Sequence, residues 1–159
     1  MEEGLRRFIA VCVALTGFDS VELTGTGIAE LYRATLEKWV GPVIAAELLA
    51  FGTEPPPDET VVRNGIMSDA KLGPVARNLI ALWYTGLWTP LPSEWYLAYQ
   101  TEIPNPPDIT NAETYIPSPE SYIQGLVWTA AHTHPMGAKQ PGFGTWAQEP
   151  DPAPKGGRR

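Results

Sequence analysis

The chain has 159 residues, with 18 acidic against 11 basic side chains and a net charge of −7. That balance describes one soluble domain with room for its own core and excludes a nucleic-acid surface, because phosphate binding needs a basic stripe to release counterions. The single cysteine, Cys12, excludes an internal disulfide and a multi-cysteine zinc site, and no apolar run approaches the ~20 residues of a membrane span.

Leu5, Phe8, Ile9, Cys12 and Leu15 fall on one helical face, which predicts an amphipathic first helix over about 3–15. Cys12 then reads as a small buried hydrophobe rather than a reactive thiolate. Arg6-Arg7 ahead of this apolar run has the outline of a signal peptide, but no small-residue cleavage site follows, which favours a helix of the mature domain. Thr16-Gly17-Phe18-Asp19 forms a turn in which the glycine supplies a left-handed stop.

A second helix is predicted over about 26–39, with Ile28, Leu31, Tyr32, Leu36 and Trp39 as its stripe, and Gly41-Pro42 ends it. A third, short helix covers 43–51. The consecutive prolines of 52–57 predict an exposed, semi-rigid connector. Ser68-Asp69 caps the next helix, which runs to about 84, while Gly73-Pro74 is able to delay its start to Pro74. Its core face is Val75, Leu79, Ile80, Leu82 and Trp83, and Gly86 stops it. The stretch 87–117 is rich in proline and aromatics, and a connection of that length is functional or wraps a surface. Ser118-Pro119-Glu120 opens a last helix that continues to about 131. With no strand pattern, the expected fold is all-α: an irregular bundle of about five helices with long proline- and aromatic-rich arms, forming one domain over 1–150 before a disordered tail at 151–159.

No catalytic constellation emerges. His132 and His134 are the only imidazoles, and no carboxylates are arranged nearby to complete a metal site, so a structural role is expected. Gly25-Thr26-Gly27 reads as a turn and cap, not a phosphate loop, and Glu30 with Glu37 as a solvated face. No cofactor is expected on this chain. Trp88, Trp95, Trp128, Phe143 and Trp146 lie in or beside irregular segments, a placement that favours a protein interface. Exposed tryptophans also serve as sugar platforms, which makes a free-standing sugar-binding module the alternative. A small helical metalloenzyme using both histidines is a further reading.

Leu15-Thr16-Gly17-Phe18-Asp19, Ala81-Leu82-Trp83-Tyr84-Thr85-Gly86, Tyr122-Ile123-Gln124-Gly125-Leu126-Val127-Trp128, His134-Pro135 and Pro141-Gly142-Phe143-Gly144-Thr145-Trp146-Ala147 together resemble a family. It is the small subunit of bacterial membrane-bound, FAD-dependent sugar and polyol dehydrogenases of the sorbitol, fructose and glucose dehydrogenase type. The resemblance spans nearly the whole chain with its motifs in family order. It implies that catalysis and FAD belong to a large flavoprotein subunit of the glucose-methanol-choline type, and that a multihaem cytochrome c passes electrons onward. The small subunit would be non-catalytic, binding the flavoprotein and helping it mature, in a complex at the periplasmic face of the inner membrane. The family's twin-arginine extension is not visible before Met1, so a mature or trimmed form, or export through another subunit, is expected. The arms 87–117 and 132–150 are expected to lie on the flavoprotein, with Trp88, Trp95, Tyr122, Trp128, His134, Pro135, Pro141, Phe143 and Trp146 as the partner-binding residues.

Overall fold

Three striped helices make the centre of the protein in the computed structural model, which describes residues 2–103, 105–108 and 113–138. Helices α1 (Glu3–Thr16), α3 (Ala29–Leu49) and α5 (Leu72–Thr85) pack pairwise against one another. Phe8, Cys12, Tyr32, Leu36, Leu79 and Trp83 are buried between them. The Trp83 ring takes Tyr32 edge-on at 4.9 Å and Phe8 at 6.3 Å, geometries that add to the gain from apolar burial. Burial pushes the Cys12 thiol far above its usual pKa, even with the Trp83 indole beside it, so Cys12 is an inert core residue.

α1 matches its expected span and ends at Gly17, whose φ of 79° is the left-handed stop. A short helix that the pattern did not suggest, α2 (Ser20–Gly25), follows it and packs on α1. Asp19 Oδ1 accepts from Glu22 N at 2.8 Å while Glu22 Oε2 accepts from Asp19 N at 3.0 Å. This capping box satisfies two of the donors that a helix start leaves open.

The two helices expected on either side of Gly41-Pro42 are present, joined without a loop in α3 by a break at Gly41. Gly41 alone leaves the helical region, with φ 77° and ψ 161°, a conformation that costs an L-residue side chain strain. The kink makes a notch that Ile103, only 2% exposed, fills from a later segment. The connector after α3 is largely exposed, as its prolines suggested. It leads through α4 (Glu59–Val61) and a π-helical turn (Val62–Met67) to α5. Asp69 Oδ1 caps α5 by accepting from Lys71 N and Leu72 N at 2.8 and 2.7 Å. The core face of α5 includes Asn78, which is buried, while Ile80 is only half-buried.

The described part of 87–117 is not an arm. Trp88, Leu91, Trp95, Tyr96 and Ile103 are all buried in the body of the chain. Trp88 and Tyr115 exchange backbone hydrogen bonds of 2.9 and 2.8 Å in an isolated antiparallel bridge. Asn78 pairs by its side-chain amide with both Thr89 N, at 3.1 Å, and Thr89 O. Helix α6 (Ser93–Tyr99) and a 3₁₀ turn (Gln100–Glu102) then return to α3 and α5. Lys71 Nζ fastens them, 2.5 Å from Glu47 Oε2 and 2.9 Å from Glu102 Oε2.

The single last helix that was expected is broken in two: α7 (Pro119–Ile123) and α8 (Leu126–Ala130). Pro119 opens α7 as anticipated, although the Ser118 hydroxyl faces Ser121 Oγ at 3.5 Å instead of capping the backbone. The fold is all-α, and the Trp88–Tyr115 bridge is the only β-type pairing among the described residues. No described helix is long and apolar enough to cross a membrane.

Candidate interaction site

Three of the sequence segments that carry the resemblance meet at one corner of the fold. The end of α5 and the α7–α8 pair come so close that side chains are excluded twice. A Cβ on Gly86 would lie 2.5 Å from Ser121 O, and one on Gly125 would lie 2.8 Å from Tyr84 O. Gly86 also has φ 76°, so both its conformation and its surroundings require glycine. The third segment joins through Tyr84, whose Oη donates to Thr16 O at 2.9 Å and whose ring meets Phe18 edge-on at 6.0 Å. Beneath the corner, Ser121 and Tyr32 are fully buried, and desolvation pushes the Tyr32 phenol up to about 12 despite the neighbouring Ser121 hydroxyl.

On the outer side of this corner the aromatic faces are open. Tyr122 is 41% exposed and Trp128 is half-buried. Trp128 Nε1 donates to Tyr122 O at 2.6 Å, and the two rings stand 5.2 Å apart at 77°. The helix break at Gly125 makes this possible: the chain turns back, so the indole of α8 reaches the carbonyl of α7. A rigid aromatic pair results, held with little rotamer freedom left to lose on binding.

A cleft of about 240 Å³ lies between α2 and α8, walled by Phe18, Glu22 and Thr26 on one side and Leu126, Trp128 and Thr129 on the other. The exposed Val21, on α2, is 78% accessible. Beyond α8, Thr133 N donates to Trp128 O at 2.8 Å, and His132 adopts a left-handed φ of 52°. That reversal brings in a half-buried His134 and a buried Pro135. His134 Nδ1 is buried and has no hydrogen-bond partner among the described residues. No group of three histidine, cysteine, aspartate or glutamate side chains gathers as metal ligands among the described residues.

Of the residues singled out in the sequence, Tyr122 and Trp128 stand together at this corner, and His134-Pro135 follow directly from it. Trp88 and Trp95 do not. They are 0% and 6% exposed, and Trp95 Nε1 donates to Lys71 O at 3.0 Å, so both belong to the core, where apolar area is removed from water by the chain itself. Pro141, Phe143 and Trp146 lie outside the described residues. Phe18 and Glu22 were missed as site residues. The signal for them was the Asp19-x-x-Glu22 spacing, which marks a helix start opposite α8. The corner offers aromatic faces, hydroxyls and the Glu22 carboxylate in a shallow cleft, groups able to hold another surface. Comparison with protein-family models, with curated proteins and with solved structures finds no match.

Proposed function

We propose that this chain is a non-catalytic small subunit that binds, stabilises and helps mature the catalytic subunit of an FAD-dependent sugar or polyol dehydrogenase. The reading starts from the sequence resemblance, and one structural observation supports it: three of the segments that bear that resemblance meet at a single corner where a rigid aromatic pair faces outward. Within those segments Trp83, Gly86 and Gly125 serve the chain's own packing, and Tyr122 and Trp128 are the aromatics left with open faces. Under this reading the partner is an FAD-containing flavoprotein of the glucose-methanol-choline type, a multihaem cytochrome c is met only indirectly, and the assembled complex works at the periplasmic face of the inner membrane. Tyr122, Trp128 and the half-buried His134 are the contacts assigned to the described corner, and the buried Pro135 sets the turn that presents them.

The test is co-expression with the flavoprotein encoded beside this chain, then affinity purification and a visible spectrum. A stoichiometric yellow complex with dye-linked sugar or polyol dehydrogenase activity, lost when this chain is omitted, is the expected result. A colourless monomer beside a flavoprotein that is soluble and active alone would sink the reading. Within the complex, Trp128→Ala is expected to cost about 2 kcal/mol of binding or more, as for an aromatic hot spot.

The alternative of a free-standing sugar-binding module draws on one observation, the Trp128 wall of the cleft beside the Thr26 and Thr129 hydroxyls. It predicts a saccharide-dependent change in tryptophan fluorescence of the isolated chain, and a flat titration with glucose, fructose and sorbitol counts against it.

A further inference from the structure

The cleft between α2 and α8 has a size, a wall chemistry and a charge that together select one kind of occupant. At about 240 Å³ it is smaller than the ~300–1,000 Å³ of sites that enclose a drug-sized ligand or cofactor, and it suits a single protruding side chain. Phe18, Leu126 and Trp128 offer apolar and aromatic surface, and Glu22 is the ionisable wall residue.

The charge follows from an asymmetry in the chain. No lysine or arginine occurs in residues 8–32 or 78–138, which include all of α2, α6, α7 and α8. Glu22 is exposed on α2, and Glu120 is exposed in the first turn of α7. The described cations lie on other parts of the chain and are engaged there. Arg6 and Arg7 hold Glu3, Arg33 holds Glu37, and Arg63 holds Glu59. Lys38 lies 3.9 Å from the centre of the Tyr115 ring, Lys71 bridges Glu47 and Glu102, and Arg77 donates to Met67 O. The cleft is therefore a negative, aromatic-walled slot whose counter-charge its own segments do not provide.

Resting on the subunit reading, we infer that this cleft receives an arginine side chain of the flavoprotein subunit. An arginine presents an aliphatic stem to Phe18 and Leu126 and a flat cation to the Trp128 face and the Glu22 carboxylate. A carboxylate knob is repelled by Glu22. A wholly apolar knob leaves binding indifferent to that charge.

The test uses the co-purified complex, with its affinity measured from low to high salt. Glu22→Gln removes the charge while a glutamine side chain still accepts from Asp19 N, so the capping box persists. Glu94→Gln, at an exposed position of α6, changes net charge equally outside the cleft. The expected result is that Glu22→Gln weakens the complex about tenfold at low salt, that the difference closes as salt screens it, and that Glu94→Gln matches the parent. If Glu22→Gln also matches the parent, the cationic occupant is wrong and the subunit reading stands. If both variants weaken the complex alike, the effect is long-range steering and the cleft assignment is overturned. No complex at all overturns the subunit reading and this inference with it.

Discussion

Trp83 and Trp128 are each a helical tryptophan three residues from a glycine, Trp83 before Gly86 and Trp128 after Gly125, yet they belong to opposite regimes. Trp83 is fully buried where α1, α3 and α5 converge. Those helices have 14, 21 and 14 residues and hold together by apolar stripes. Trp128 stands half-buried in a corner built from helices of six, five and five residues. Helices that short are unstable alone, so the corner is held by other means: a capping box, two side-chain exclusions at Gly86 and Gly125, and the Tyr84 and Trp128 hydrogen bonds to backbone. The centre supplies stability through burial, and the corner takes a shape from specific contacts while leaving aromatic area open. A tryptophan's environment, not its motif, decides which role it plays.

The strongest way to break this contrast is at the centre. Trp83→Ala is expected to cost about 3–5 kcal/mol and to lower the urea midpoint of the whole chain as one transition. Two partial transitions would mean that the corner folds independently. Gly86→Ala attacks the junction instead. Strain at positive φ together with a contact at 2.5 Å to Ser121 O is expected to cost about 2–4 kcal/mol, and a two-state urea titration that stays within ~0.5 kcal/mol of the parent would show that the approach of α5 to α7 relaxes freely.

Asn78→Ala sharpens the comparison from a third side, because it cuts the amide pair to Thr89 that seats the stretch after α5. Two hydrogen bonds at a buried site are worth about 1–3 kcal/mol together, and hydrogen exchange should speed at Thr89 and Trp88 ahead of the α1 and α3 amides. The smallest effect is expected at Lys71→Met. Its two carboxylate partners are partly exposed, so about 1 kcal/mol or less is at stake. The hydrogen bonds that Lys71 donates to the Glu47 and Glu102 carboxylates raise its pKa above the ordinary 10.5. A raised lysine pKa means that the folded chain holds the proton more tightly. Its contribution is therefore complete below pH 10.5 and lost as pH rises through the higher folded value. A Lys71→Met variant should lack that alkaline loss, read as the difference between the two pH–stability curves.

Much of the centre was legible because its signals are local and periodic. Phe8, Ile9 and Cys12 repeat at helical spacing, as do Tyr32, Leu36 and Trp39, and such stripes need a partner face to bury them. Gly17 and Gly86 announced two helix ends through backbone chemistry that is the same in any fold. The corner was less legible. Asp19 and Glu22 carried the spacing of a capping box, but a six-residue helix has too few turns to show a stripe. Gly125 was read inside one helix, and only the fold shows what requires glycine there: a Cβ would lie 2.8 Å from Tyr84 O on another element. The same holds for Trp88 and Trp95. A proline-rich stretch reads alike whether it reaches outward or folds back, and the notch at Gly41, the Asn78 amide and the Trp95 bond to Lys71 O show that this one folds back.

The sequence by itself determined the class of the protein: an acidic, all-α body, an inert buried cysteine, and helix ends at glycines, since charge, periodicity and backbone permissiveness are properties of residues and near neighbours. Tertiary structure decided which aromatics are core and which face outward, where the last helix breaks, and that residues from two distant segments wall one cleft. Those outcomes depend on which surfaces meet when the chain collapses, and that contact is long-range, set by the packing of α1, α3 and α5 and not by any stretch of residues alone.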